Sequence, residues 1–222
     1  MKYILNNQLF GGRGANSPAW ETGSDGKDGN GPDRSTRDFV SRINNMKNGN
    51  RMSQDYMVEH FRQTFGADNH EHLITVNDDG FATALVHGNE GSVSYNGVNT
   101  KGQLVIHNHP NNGAFSRTDL RGLEKSGITG IVAVGESTTY EFRVGKNFKY
   151  KEFDKALTKS PVTDTYSRKN GETNQQALNR VSQWTRQWLT KNQKKYGYTF
   201  KAGINTKTTF TSNVHSRESK KK

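Results

Sequence analysis

The chain of 222 residues is only 30% hydrophobic, has a mean hydropathy of −0.97 and carries a net charge of +11. Its length suits one domain of ordinary size with extensions, and the low apolar content predicts that substantial parts are exposed or disordered. The lack of cysteine excludes disulfides, thiolate metal ligands and a cysteine nucleophile, and no apolar run approaches the ~18 residues needed to span a membrane.

The charge is uneven. Residues 146–222 carry 18 Lys/Arg against 5 Asp/Glu, a net +13, which leaves residues 1–145 at −2. The reaction and the partner are therefore separate questions, and the basic character belongs to the C-terminal third.

Residues 1–32 open with Tyr3-Ile4-Leu5, a candidate docking strand too short for a signal peptide. Seven glycines follow among Ser, Asn and Asp, from Gly11 to Gly31, which reads as a flexible segment. Gly11-Gly12-x-Gly14 lacks the strand-loop-helix context of a phosphate loop, and Trp20 is a candidate exposed anchor. Residues 33–66 read as a helical pair packing on a sheet. Ser35-x-x-Asp38 is a capping box for a helix over 35–47, with Phe39, Ile43 and Met46 on one stripe. A second helix over 53–65 places Met57, Phe61 and Phe65 on one side, and Gly66 caps it.

Residues 67–145 carry the chemistry. Leu73 to Val76 reads as a strand, Asn77-Asp78-Asp79-Gly80 as a turn, and 81–87 as the partner strand, followed by a short strand over 92–95. His70 and His72 read as polar residues at a strand edge, and His87 as structural. Leu104-Val105-Ile106 then delivers His107 and His109, whose one-residue gap points both rings to one side of a strand. Pro110 stops pairing, Asn111-Asn112-Gly113 turns the chain, and Ser116-x-x-Asp119 opens a helix reaching Lys125. Two imidazoles and a carboxylate thus converge at a strand-to-helix junction, and three protein ligands with one open position is the arrangement of a catalytic zinc. Ser116 and Asp119 also fit an ordinary capping box. The apolar strand carries both rings inward, however, where polar groups need partners. The letters His-Asn-His invite a nuclease reading, but such nucleases spread their histidines over a ββα unit, whereas these are neighbours on one strand. Buried strands over 128–134 and 140–144 complete the reading: α+β, with a mixed central sheet flanked by helices.

Residues 146–205 read as a basic helical extension. It holds a short helix over 151–159, a looser segment to Gly171, a long helix over 173–195 and a strand over 198–200. Leu178, Val181, Trp184 and Trp188 lie near one face of the long helix. That stripe reads as core, although two tryptophans could also stack on nucleic acid. Residues 206–222 read as a disordered basic tail, and Lys220, Lys221 and Lys222 as weak contacts for nucleic acid or an acidic partner.

The combination of His107-x-His109-Pro110 with Ser116-x-x-Asp119 resembles the JAB/MPN (JAMM) zinc metalloprotease-like domain, including its RadC-like and phage-encoded branches. The resemblance covers about residues 68–144, and the spacing from His109 to Ser116 is one residue shorter than the family's usual form. It implies a JAB/MPN-like fold, Zn2+ held by His107, His109 and Asp119, and Ser116 supporting the oxyanion or the bound water. It also implies a glutamate general base on a neighbouring strand. Glu71, at a rigid strand start, is preferred over Glu90 in the loop Gly88-Asn89-Glu90-Gly91. The implied activity is metallopeptidase or isopeptidase cleavage of a protein or peptide substrate, in the cytoplasm, or in the host cytoplasm or virion for a phage-encoded chain. The alternative implied by phage relatives is a non-catalytic binding or assembly module whose basic C-terminal region holds nucleic acid or an acidic protein.

Overall fold

A computed structural model describes residues 2–3, 54–94 and 98–204. The expected helix over 35–47, the Gly-rich segment with Trp20, and the tail with Lys220, Lys221 and Lys222 lie outside the described residues.

A two-residue strand β1 (Lys2–Tyr3) pairs antiparallel with a later strand, β7 (Tyr166–Ser167). Helix α1 (Gln54–Phe65) forms around Met57 and Phe61, one turn apart and fully buried. Strand β2 (His72–Val76) reverses at Gly80, whose φ of 76° is a left-handed value that glycine takes without strain. The Asn77 side-chain oxygen accepts the Phe81 N–H at 2.8 Å, which fixes the turn into β3 (Ala82–His87). Strand β4 (Leu104–Asn108) leads through a loop to α2 (Arg117–Ser126), then to β5 (Gly130–Val134) and β6 (Thr138–Val144). Helix α3 (Tyr150–Thr158), β7, helix α4 (Asn174–Tyr196) and β8 (Tyr198–Ile204) follow.

Six strands form one sheet in the order β3-β2-β4-β5-β6-β8, with β4 and β5 parallel and the other neighbours antiparallel. The fold is α+β, a mixed sheet flanked by helices. Side chains alternate between its faces, apart from an irregularity in β3 where the register with β2 shifts between Thr75 and Val76. Leu73, Val105, Ile131 and Ala133 pack on one face with residues of α2, α3 and α4, such as Leu120, Phe153 and Leu189. Ile74, Ile106, Val132 and Val134 pack on the other against Met57 and Phe61 of α1. This alternation puts Glu71 and His107 on the α2 side of the sheet, and His72 and Asn108 on the α1 side.

Three features differ from the sequence reading, each for a local reason. Residues 92–94 form only an isolated bridge from Asn89 to Ser92. The Asn89 side-chain oxygen accepts from the Gly91 N–H at 3.0 Å and the Ser92 hydroxyl at 3.1 Å, a tight turn that lifts the chain off the ladder. On α4, the buried positions are Ala177, Ser182, Thr185 and Leu189, so Trp184 turns outward and stands 38% exposed beside Arg180 and Lys169. Residues 146–204 are also continuous with the core: Phe153 packs on Phe142 and Trp188, Tyr198 stacks on Phe142, and β8 pairs with β6 along seven residues. No helix among the described residues is long and apolar enough to cross a membrane.

Candidate metal centre

The end of β4 carries the site. His107 lies within the strand, and His109 keeps strand pairing past its end by donating its N–H to the Val134 carbonyl at 2.7 Å. Both rings therefore share the α2 face of the sheet. Asn112 takes a left-handed φ of 57° and donates its N–H to the His109 carbonyl at 2.9 Å, closing a turn immediately after the second histidine. The Asn112 side-chain oxygen accepts the Ser137 N–H at 2.8 Å, tying this loop to the turn between β5 and β6.

The start of α2 brings the acid. Ser116 and Asp119 form a reciprocal cap: the Asp119 N–H donates to Ser116 Oγ at 3.0 Å, and the Ser116 N–H donates to Asp119 Oδ2 at 2.6 Å. The capping and ligand readings of this motif are thus compatible, because the cap occupies one carboxylate oxygen and leaves the other. Asp119 Oδ1 is buried and has no hydrogen-bond partner. It stands 3.8 Å from His107 Nε2, Oδ2 stands 3.6 Å from His109 Nε2, and the two Nε2 atoms are 2.8 Å apart.

The tautomers follow from the partners. His109 Nδ1 lies 2.9 Å from the Gly113 carbonyl, which can only accept, so Nδ1 carries the proton and Nε2 presents a lone pair to the site. His107 Nδ1 is buried without a hydrogen-bond partner, and so is Glu71 Oε2. Two orphaned carboxyl oxygens, Asp119 Oδ1 and Glu71 Oε2, in one buried region are the signature of a missing partner. Tetrahedral coordination with ligand bonds of 2.0–2.1 Å needs donor–donor separations of about 3.3 Å. The Nε2–Nε2 separation of 2.8 Å and the His107 Nε2–Asp119 Oδ1 separation of 3.8 Å bracket that value. His107, His109 and Asp119 form the only group of at least three such side chains with converging donor atoms among the described residues, and its donors fit a metal ion.

Electrostatics point the same way. Burial pushes the Asp119 carboxyl up to about 8, against the pull of the hydrogen bonds from Ser116. Burial, and then the charge of Asp119, push Glu71 up to about 9, and its hydrogen bond from the Val93 N–H opposes them only in part. Burial drives His109 down to about 4 and His107 well below the usual imidazole range, the latter helped by His109. Without a cation the centre holds neutral carboxyls and neutral imidazoles. A divalent ion reverses that preference for the acids.

Of the residues singled out from sequence, His107, His109, Asp119, Ser116 and Glu71 are all buried on the α2 face, with Glu71 at 2% exposure and within reach of the charge of Asp119, which raises it. Glu71 does not belong to the converging ligand group. Glu90 lies exposed in the loop after β3. Sequence reasoning missed three supports: the Val93 N–H on Glu71, Asp164, and Asn108. Asp164 Oδ1 accepts the Thr118 N–H at 2.7 Å at the start of α2, and its charge raises Asp119 further. Asn108 accepts the His72 N–H at 2.5 Å and donates to the His70 carbonyl at 2.8 Å, fastening the start of β2 to β4. These contacts span 22 to 46 residues of chain and carry no local signal.

A small cavity of about 30 Å³ reaches the centre, lined by His109, Ser116, Asp164 and Thr185 among others. It has room for about one water molecule. A broader polar groove of about 720 Å³, lined by residues including Asn112, Gln176, Asn179, Gln183 and Arg186, adjoins it through Ser182, which lines both. Compared with protein-family models, with curated proteins and with solved structures, the chain finds no match in any of the three.

Proposed function

We propose that the protein is a zinc-dependent hydrolase of the JAB/MPN type, cleaving a peptide or isopeptide bond. The observation that carries this reading is the buried convergence of two imidazole Nε2 atoms and an orphaned carboxylate oxygen, with the Glu71 carboxyl, one oxygen of which is also orphaned, nearby but outside the ligand group. His107, His109 and Asp119 hold the ion. Zinc, when bound, supplies Lewis acidity toward a carbonyl and lowers the pKa of water to about 7. Glu71 acts as general base, taking a proton from the attacking water and delivering it to the leaving amine. Val93 fixes the Glu71 carboxyl through one oxygen and leaves the other for that proton. The Ser116 hydroxyl accepts from the Asp119 N–H and keeps its own proton for donation to the developing oxyanion.

The test is Glu71→Gln, assayed on peptide and isopeptide substrates with zinc content measured in parallel. Turnover falls by roughly 10²–10⁴-fold while zinc remains bound. Undiminished hydrolysis removes Glu71 from the mechanism.

A second reading has its own observation. The three ligands are at most 3% exposed, and the adjoining cavity is too small for a peptide, so the ion could act as a strut in a non-catalytic assembly module. The basic C-terminal third would then bind nucleic acid or an acidic protein, with exposed Trp184 between Lys169 and Arg180 offering a stacking surface. Stoichiometric zinc without hydrolysis, together with DNA binding that weakens steeply with salt, selects this reading.

A further inference from the structure

On the opposite face of the same strands lies a second histidine pair. His72 and His87 face each other directly across β2 and β3 in the antiparallel register. Their Nδ1 atoms are 2.6 Å apart and their rings are nearly perpendicular, at 86°. Two bare lone pairs cannot sit that close, so at this separation one ring donates an N–H to the other.

The surroundings determine which His72 nitrogen faces the pair with a lone pair. Asp68 Oδ1 accepts the His70 N–H at 2.9 Å, which anchors the carboxylate. Asp68 Oδ2 then stands 3.2 Å from His72 Nε2, within ion-pair reach though off the line of a good hydrogen bond. A carboxylate at that position favours the N–H tautomer at Nε2, so Nδ1 is bare and aimed at His87. The arrangement of a ligating imidazole with a carboxylate behind its far nitrogen is how metal-binding histidines are oriented. Phe65 closes one side, with its ring centroid 4.4 Å from that of His72 and 6.2 Å from that of His87. His72 is buried, while His87 is exposed and leaves the site open to solvent.

We propose that His72 Nδ1 and His87 Nδ1 form a second site for a divalent transition ion of the imidazole-seeking class, with Zn2+ as its probe, Asp68 as positioning residue and solvent completing the coordination. Imidazole nitrogen is a common ligand for zinc, nickel and copper, and the two facing donors need a separation of only about 3.3 Å, a small swing for the exposed His87 ring. Binding moves the His87 proton from Nδ1 to Nε2 and releases no proton. This site is independent of the candidate hydrolytic centre: strand alternation puts the two on opposite sides of the sheet.

The experiment uses the full chain, stripped with a chelator and titrated with Zn2+ at neutral pH by equilibrium dialysis with elemental analysis. Wild type takes up two equivalents, His87→Gln one, Asp119→Asn one, and the double variant none. Asp68→Asn keeps the second equivalent but weakens it roughly 10–100-fold. Two equivalents retained by His87→Gln overturn the proposal. So does a single wild-type equivalent abolished by Asp119→Asn, which leaves the hydrolase reading standing. A single equivalent abolished by His87→Gln but kept by Asp119→Asn does the reverse. Should His87→Gln fail to fold, the imidazole 15N resonances of wild type decide. Zinc moves the His72 and His87 Nδ1 signals if the proposal holds, and leaves them in place if only a proton joins the pair.

Discussion

The two faces of the sheet carry the same device in two environments. On the α2 face, His107 and His109 follow one another along a single strand, and their carboxylate, Asp119, sits among the donor atoms. On the α1 face, His72 and His87 meet across two strands, and their carboxylate, Asp68, stands behind one ring. Burial dominates the first: both acids are pushed up and both imidazoles down. In the second, Asp68 is held below its ordinary range, first by the His70 N–H, while desolvation lowers His72. The lesson is that chain position alone does not assign a role. Glu71 and His72 are neighbours in sequence, yet the strand pleat sends them to different sites.

The largest expected effect separates the two faces outright. Asp119→Ala removes the ligand of one pair, so metal at that centre and all turnover are lost while the His72–His87 pair is untouched. Metal counting and activity assays check both halves, and loss of both equivalents would break the independence of the faces. Asn108→Ala strikes at the link between them. It leaves the His72 N–H and the His70 carbonyl without their partner, at a cost of about 1–3 kcal/mol. Chemical denaturation measures it, and a neutral result means that β2 does not depend on this side chain.

A third, smaller effect is a pH slope. Folded and metal-free, Asp119 titrates near 8 and Glu71 near 9, against 3.8 and 4.5 as ordinary values. Between those values the unfolded chain holds fewer protons, so stability falls as pH rises. The histidines oppose this only below 6.5, where unfolded imidazoles take up protons that the buried ones refuse, His109 down to about 4. The window from pH 6.5 to about 9 is therefore governed by the carboxyls. The melting temperature of chelator-treated protein drops across it, and saturating zinc abolishes the drop. A flat profile without metal contradicts the buried neutral acids. The smallest effect is that of Trp184→Ala, which shifts stability by about 0.5 kcal/mol because the residue stands 38% exposed and off the buried stripe of α4. If the basic face binds single-stranded nucleic acid, the same change weakens that binding by about 1–3 kcal/mol.

What could be read from sequence was local. The His-x-His period, the turn at Asn111-Asn112-Gly113 and the Ser116-x-x-Asp119 cap are set within a few residues of one another, so their spacing carried the geometry of the centre. The strand–turn–strand unit of β2 and β3 was legible for the same reason. The Val93 N–H on Glu71, the Asp164 cap on α2 and the Asn108 fastening depend on distant segments meeting, and no spacing encodes them. Trp184 was misplaced because a helical wheel gives a period but not the phase of the buried stripe, and Ser182 and Thr185 are too small and polar to advertise it. The +13 charge of residues 146–222 concealed the packing of Phe153 and Tyr198 into the shared core, whereas the reading of Trp188 as a core residue holds. The pairing of His72 with His87 was invisible as a site, because each histidine alone looks like a strand-edge residue.

The reciprocal cap at the start of α2 has a consequence for cation selectivity. With Oδ2 committed to the Ser116 N–H, Asp119 has one unencumbered oxygen, Oδ1, to offer a cation. Calcium wants six to eight oxygens and often a chelating carboxylate, and magnesium insists on an octahedron of oxygens. A hole with two nitrogens and one oxygen satisfies neither. If the centre holds a cation, this helix-starting hydrogen bond would disfavour the two commonest biological dications before size or affinity enters.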